Sequence, residues 1–199
     1  MLNKTKLLVL VTLFLTLAVI NYAGDIKGKV EAKGVKNNAN AVVYIEDIPG
    51  IKFNPSKENA KMDQKNLTFI PHVLPIVVGT TVEYINSDDV LHNVFSPDKC
   101  AEKFNLGTWA KGMSRSYTFN EAKCYSVMLC NVHPEMEAFI VVLKNPYFAL
   151  TDKKGNYLIK DVPEGKYKLK VWHEKLKEKS LEITVSKDSS ITHDFEIKK

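Results

Sequence analysis

The sequence predicts an all-β protein, one large or two small domains, behind an N-terminal leader. Three observations carry that expectation. Val, Ile, Tyr, Phe and Thr recur in short alternating runs, as half-buried strands require. No long segment repeats its apolar residues at the helical period. Gly, Pro, Asn and Asp punctuate the chain, and their rhythm changes after Leu143. At 199 residues and 45% hydrophobic, the chain is long enough for two cores and too apolar for disorder.

The first element is the leader, residues 1–23. Lys4 and Lys6 supply a positive start, Leu7 to Ile20 an apolar run, and Tyr22-Ala23-Gly24 small residues for cleavage. The run is short for a bilayer span, which needs about 20 residues. A signal peptide implies an exported protein, periplasmic or extracellular. The alternative is an uncleaved anchor, since Asn21 suits the cleavage motif poorly, and only then would this chain meet a membrane. No Cys follows the run to carry a lipid.

The strands follow in order. Gly24 to Val30 opens the mature chain. Asn40–Glu46 alternates, with Ala41, Val43 and Ile45 on one face and Val42 and Tyr44 on the other. Ile48 to Lys65 carries Pro49, Gly50, Pro55 and several charges, and reads as a long surface loop. Val73–Val78 and Thr80–Asn86 flank a turn at Gly79. Val90, His92 and Val94 share one face of a short strand, which points His92 inward. Arg115–Phe119, Tyr125–Cys130 and Ala138–Leu143 complete at least seven strands. Beyond Leu143, turns at Gly155 and Gly165 separate the strands of a tail; both glycines can take positive φ.

One cluster carries chemistry. Cys130, His133 and Met136 fall within seven residues, and His92 lies upstream in Leu91-His92-Asn93-Val94. One thiolate, two imidazoles and a thioether are the ligands of a mononuclear blue-copper electron-transfer site. Zinc would want a Cys, His or carboxylate in place of the thioether. The bland reading makes Cys130 a small buried hydrophobe and Met136 core filler.

The segment Phe69-Ile-Pro71 through Leu74, Ile76, Gly79, Val82, Asn86 and Asp88 to His92-Asn-Val94 resembles the plastocyanin-like cupredoxins over residues 62–143. The resemblance implies a Greek-key β-sandwich holding one copper that cycles between Cu(I) and Cu(II). It makes His92 and His133 the imidazole ligands, Cys130 the thiolate and Met136 the weak axial ligand. Plastocyanin has a longer stretch between its second His and its Met, whereas Pro134 and Glu135 alone separate His133 from Met136. A binuclear centre is not implied, because Ser126 stands where a second Cys would be needed.

The tail, with Thr151-Asp-Lys-Lys-Gly155-Asn-Tyr157 and Asp161-Val-Pro163-Glu-Gly165-Lys-Tyr167, resembles the later half of a transthyretin-like, carboxypeptidase-regulatory-type β-sandwich. Gly24 to Val30 and Asn40 to Ile45 resemble its opening strands. The domain expectation is therefore 24–50 for the first strands of a split sandwich, 51–144 for the cupredoxin and 145–199 for the rest of the split sandwich. Ala41–Ile45 should then pair in the sheet of Tyr167–Val171. The competing arrangement makes Asn40–Glu46 the cupredoxin's own first strand.

If Cys130 holds copper, Cys100 and Cys124 remain for a disulfide, which an oxidising compartment permits. Both read as loop positions that meet beside the copper end; free thiols or an accessory metal site are the alternatives. His72 reads as a hydrogen-bonded structural residue, His173 as a surface strand cap, and His193 as part of a polar terminal strand. Met62, Met113 and Met128 read as core or loop residues, with Met113 a substitute axial donor should the Met136 bond be weak.

A formal charge of +5, lowered by two when the leader leaves, is too mild and dispersed for nucleic acid. A few lysines on one face could still guide an acidic redox partner. No phosphate loop, nucleophile triad or glycosidase carboxylate pair is present, and five histidines cannot readily supply a second copper centre. The expected function is an exported copper protein, not an enzyme, that carries single electrons between partner redox proteins. Copper capture or delivery without electron transfer, and a structural adhesion or assembly module, are the alternatives.

Overall fold

The computed structural model describes residues 23–199, so the leader expected over residues 1–23 lies outside the described residues but for Ala23. The opening segment forms β1 (Ala23–Ala32) and β2 (Val42–Ile45). The middle segment forms β3 (Ala60–Gln64), β4 (Phe69–Ile70), β5 (Val73–Val77), β6 (Thr81–Asn86) and β7 (His92–Phe95). One 3-10 turn, Lys99–Ala101, precedes β8 (Asn105–Trp109), β9 (Ser114–Thr118), β10 (Cys124–Leu129) and β11 (Glu137–Leu143). The tail forms β12 (Phe148–Leu150), β13 (Asn156–Pro163), β14 (Gly165–His173), β15 (Leu176–Val185), β16 (Ser190–Thr192) and β17 (Phe195–Ile197).

The middle strands make one sandwich, with sheets in the orders β4-β3-β6-β9 and β5-β11-β10-β7-β8. Its core gathers Met62, Phe69, Val82, Tyr84, Val94, Trp109, Phe119, Met128 and Ile140. The stretch expected to be loop thus contains a strand. In β3, Met62 and Gln64 point inward while Lys61 and Asp63 alternate outward, a pattern hidden by its polar composition.

Opening and tail strands build the other sandwich, with sheets β12-β2-β14-β15 and β13-β1-β16, and β17 also on β1. Val43 lies opposite Val171 and Ile45 opposite Leu169 across β2 and β14. Ala41, Val43 and Ile45 pack with Leu169 and Val171, in a cluster separate from that of Val94. Gly155 has φ +89°, and a Cβ there would collide with the Val30 carbonyl oxygen. Gly165 differs from expectation: it opens β14 without positive φ, and Asp161 at +55° takes the left-handed position instead.

β2 is buried on both faces, because both sets of its alternating side chains are apolar. Val42 and Tyr44 turn away from the tail core and pack with Trp172 against Val73, Val141 and Leu143 of the middle sandwich. Trp172 stacks on Tyr125 at 5.4 Å and meets Phe139 at 5.8 Å. Tyr44 Oη lies 2.7 Å from Tyr125 Oη, which donates to Glu178 Oε2 at 2.8 Å. Each such apolar side chain contributes about 1.5–3 kcal/mol on burial. Parting the sandwiches would therefore cost on the order of 10 kcal/mol, comparable with a whole domain's stability.

Candidate metal centre

β7 and β10 are antiparallel neighbours, with Phe95 opposite Leu129, so the start of β7 and the end of β10 meet at one end of the sandwich. His92 begins the one and Cys130 follows the other. The chain then turns through His133 and Pro134, closed by the Met136 amide donating to the His133 carbonyl at 3.0 Å. His92, Cys130 and Met136 are buried, and His133 is half-buried. Val90, expected on the same face as His92, is exposed at 45%, because β7 begins only at His92 and Val90 belongs to the preceding turn.

Three donor atoms converge. His92 Nδ1 and His133 Nδ1 are 3.1 Å apart, and Cys130 Sγ is 4.0 Å from each. Bonds of about 2.0–2.1 Å to nitrogen and about 2.3 Å to sulfur, spread around one ion, separate N from N by about 3.3–3.6 Å and N from S by about 3.5–3.8 Å. The observed triangle brackets those spacings, so one ion fits. Among the described residues this is the only such group of His, Cys, Asp or Glu. A thiolate with two imidazoles, wrapped in an apolar core, matches the preference of copper.

The supporting residues were not foreseen. His92 Nε2 donates to Asp88 Oδ2 at 2.8 Å, which leaves Nδ1 with its lone pair toward the cluster. Asp88 is pinned in turn by the amides of Asn66 and Leu67 at 2.7 and 3.0 Å. Burial works to raise the Asp88 pKa, but the Leu67 amide, the His92 imidazole and the Asn66 amide outweigh it and hold the carboxyl at about 2. Asn93 fastens the other side. Its amide points at Cys130 Sγ at 3.4 Å, its Oδ1 accepts from the Asn131 amide at 3.2 Å, and its Nδ2 donates to Gly107 O at 2.7 Å. Gln64, fully buried, donates to the Asn93 carbonyl at 3.2 Å. The visible signal was a string of polar residues within strands (Gln64, Asn86, Asn93), each buried and needing a partner.

Other candidates lie elsewhere. Cys100 and Cys124 form a disulfide with Cα atoms 5.5 Å apart. It does not sit beside the ligands. Cys124 is the first residue of β10 and Cys130 follows the last, so at about 3.3 Å per residue they stand about 20 Å apart. His173, expected at the surface, is buried at the end of β14, and its Nδ1 accepts from the Lys175 amide at 3.1 Å. Burial lowers its pKa, with Glu174 opposing and Lys175 and His72 reinforcing. His72 is hydrogen-bonded at both nitrogens, to Glu137 O and Glu174 Oε2. His193 lies between β16 and β17. Met62 and Met128 are core, and Met113 is 45% exposed.

Residues 56–143 match the family model of copper binding proteins, plastocyanin/azurin family, less than half of the chain. That segment is a plastocyanin/azurin-family copper-binding domain. No curated protein matches the chain. Among solved structures, a reduced mutant of amicyanin is 26% identical over 45% of this chain and 91% of its own, with a TM-score of 0.40. A novel purple cupredoxin from Nitrosopumilus maritimus is 26% identical over 42% of this chain and 99% of its own, TM-score 0.38. The Cu-containing nitrite reductase (NirK) from Thermus scotoductus SA-01 is 25% identical over 51% of this chain but 25% of its own, TM-score 0.41. His92, Cys130 and His133 fit a single type 1 copper site.

Proposed function

We propose that this chain is an exported electron carrier, not an enzyme, whose one copper passes single electrons between partner redox proteins. The observation that carries the reading is the mixed exposure of the donor triangle. His92 and Cys130 are sealed in the core, while His133 is half-exposed next to exposed Val132. Copper, held by soft sulfur and borderline nitrogen, supplies a one-electron couple between Cu(I) and Cu(II). Buried Met136, which closes the turn, would offer its thioether as the fourth donor in this reading. Asp88 and Asn93 hold the ligands in place so that either oxidation state meets the same cage, and the surrounding core keeps water from Cys130. The half-exposed edge of His133 is the side of the site that a partner would approach, and an electron would pass there if copper were bound.

The disulfide favours an oxidising compartment, as export would provide. We read the opening and tail strands together as one split transthyretin-like sandwich into which the copper domain, residues 51–144, is inserted. Separate expression of 51–144 tests that division, since its Val73, Val141 and Leu143 would lose their cover.

Copper-loaded mature protein tests the function. A strong visible band from thiolate-to-copper charge transfer, a reversible midpoint potential and fast self-exchange support the carrier. Tight Cu(I) retention with sluggish electron transfer supports capture or delivery instead.

A further inference from the structure

One imidazole joins the tail sandwich to the metal-binding turn. His72 Nδ1 lies 3.1 Å from the Glu137 carbonyl oxygen, and Nε2 lies 3.0 Å from Glu174 Oε2. Both of those oxygens can only accept, so the bridge is complete when both ring nitrogens carry protons. Glu174 belongs to the turn between β14 and β15; its side chain is 8% exposed and also meets Lys175 Nζ at 3.4 Å. Glu137 directly follows Met136. The His72 carbonyl also accepts the Phe139 amide at 2.8 Å, and the ring stands edge-on to Phe139 at 5.6 Å. His72 therefore clasps the start of β11 twice and hands it to a carboxylate of the other sandwich.

We propose that the Glu174–His72–Glu137 bridge is a positioning device by which the tail sandwich fixes the end of the metal-binding turn, and so the approach of Met136 to copper. This rests on Met136 being the axial ligand. The thiolate and imidazole bonds are short and strong, whereas an axial thioether bond is long and weak. A small displacement of the backbone at Glu137 therefore goes mainly into the axial contact. Its consequence is a change of potential and of colour rather than loss of metal. Charge-assisted hydrogen bonds are short and directional, which suits them to hold such a position. His72 and Glu174 touch no metal ligand, so their effect passes through the backbone.

The sign of the potential shift separates positioning from plain electrostatics. Glu174→Gln removes a negative charge while His72→Gln removes none, so charge alone would not move the potential the same way in both. If the bridge positions Met136, both variants shift it the same way, and the double variant moves no further than either single. Tyr44→Phe, which alters a polar contact of the same seam away from the bridge, leaves the potential unchanged. In the metal-free protein, the amide resonances of Met136 and Glu137 move in both bridge variants and not in Tyr44→Phe. Opposite or additive shifts overturn the proposal, as does an unchanged potential with unmoved Met136 and Glu137 resonances. A wild-type protein without the charge-transfer band would bring down the copper reading itself, a result distinct from failure of the bridge alone.

Discussion

The Nδ1 atoms of His92 and His133 face each other at 3.1 Å, although the two rings come from a strand start and a turn forty-one positions apart in sequence. Because His92 Nε2 donates to Asp88, its Nδ1 offers a lone pair, and only a proton on His133 or a shared cation makes that approach favourable. The site is built around a positive centre. Copper uptake should therefore displace protons and depend on pH, as metal ligation by thiolate and imidazole requires.

Replacing the sulfur removes the colour. In Cys130→Ser the visible charge-transfer band should fall to background, since an alcohol does not donate as a thiolate does. Met136→Leu should keep the band and raise the midpoint potential, because losing a thioether disfavours Cu(II). Absorption spectra and voltammetry check both, and an undiminished band in Cys130→Ser would remove Cys130 from the ligand set.

The carboxylate behind His92 should matter almost as much as a ligand. Asp88→Ala releases the His92 ring and leaves the Asn66 and Leu67 amides without their acceptor. Copper affinity should drop about 10–100-fold, the usual cost of losing such a partner. Competition against a chelator of known affinity measures it.

The disulfide should serve stability and not the metal. Cys100 and Cys124 are 24 positions apart, which gives about 3.5 kcal/mol of denatured-state restriction in the chain-entropy account. A Cys100→Ala/Cys124→Ala protein should lose about that much in denaturant unfolding while its copper spectrum stays as in wild type, because the bridge stands at the far end of β10. A changed spectrum would contradict that separation.

What was legible in the sequence follows from physics. The candidate donors could be read because Cys130, His133 and Met136 are local, and because alternation with Val94 turned His92 inward. Carrying the alternation back to Val90 failed, since a period says nothing about where a strand starts. β3 was missed because its inward Gln64 is polar and looks like loop. The partners Asp88 and Asn93 have no periodic signature; they are found by asking which buried polar atoms need a partner. The double alternation of Ala41 to Ile45 was visible, but its meaning, two cores sharing one strand, needed the packing. His173 illustrates the converse: its place at a strand end says nothing of what packs over it.

The seam between the sandwiches should make them unfold together. Trp172 lies between Tyr125 and Phe139 with 8% of its surface exposed. Trp172→Ala should cost about 3–5 kcal/mol, as large-to-small changes in a core do. Calorimetry should show one transition in the wild type, moved down in the variant. Two transitions in the wild type would mean that the seam contributes far less than its packing implies.

Acid should weaken the fold through His173. Its Nδ1 accepts the Lys175 amide, and burial, the largest influence, lowers its pKa in the fold. An unfolded chain returns it to about 6.5. Between that value and the lower folded one, the unfolded state binds more protons, so stability rises with pH there. The contribution is fully present above about pH 6.5 and is lost as pH falls toward the folded value. His173→Gln keeps an amide oxygen for Lys175 but cannot take up the proton. Its stability should therefore change less than that of wild type between neutral and mildly acidic pH, measured by denaturant unfolding of the metal-free protein, where no metal is released and the other histidines are common to both proteins. Identical slopes for the two proteins would mean that His173 does not titrate as a buried neutral base.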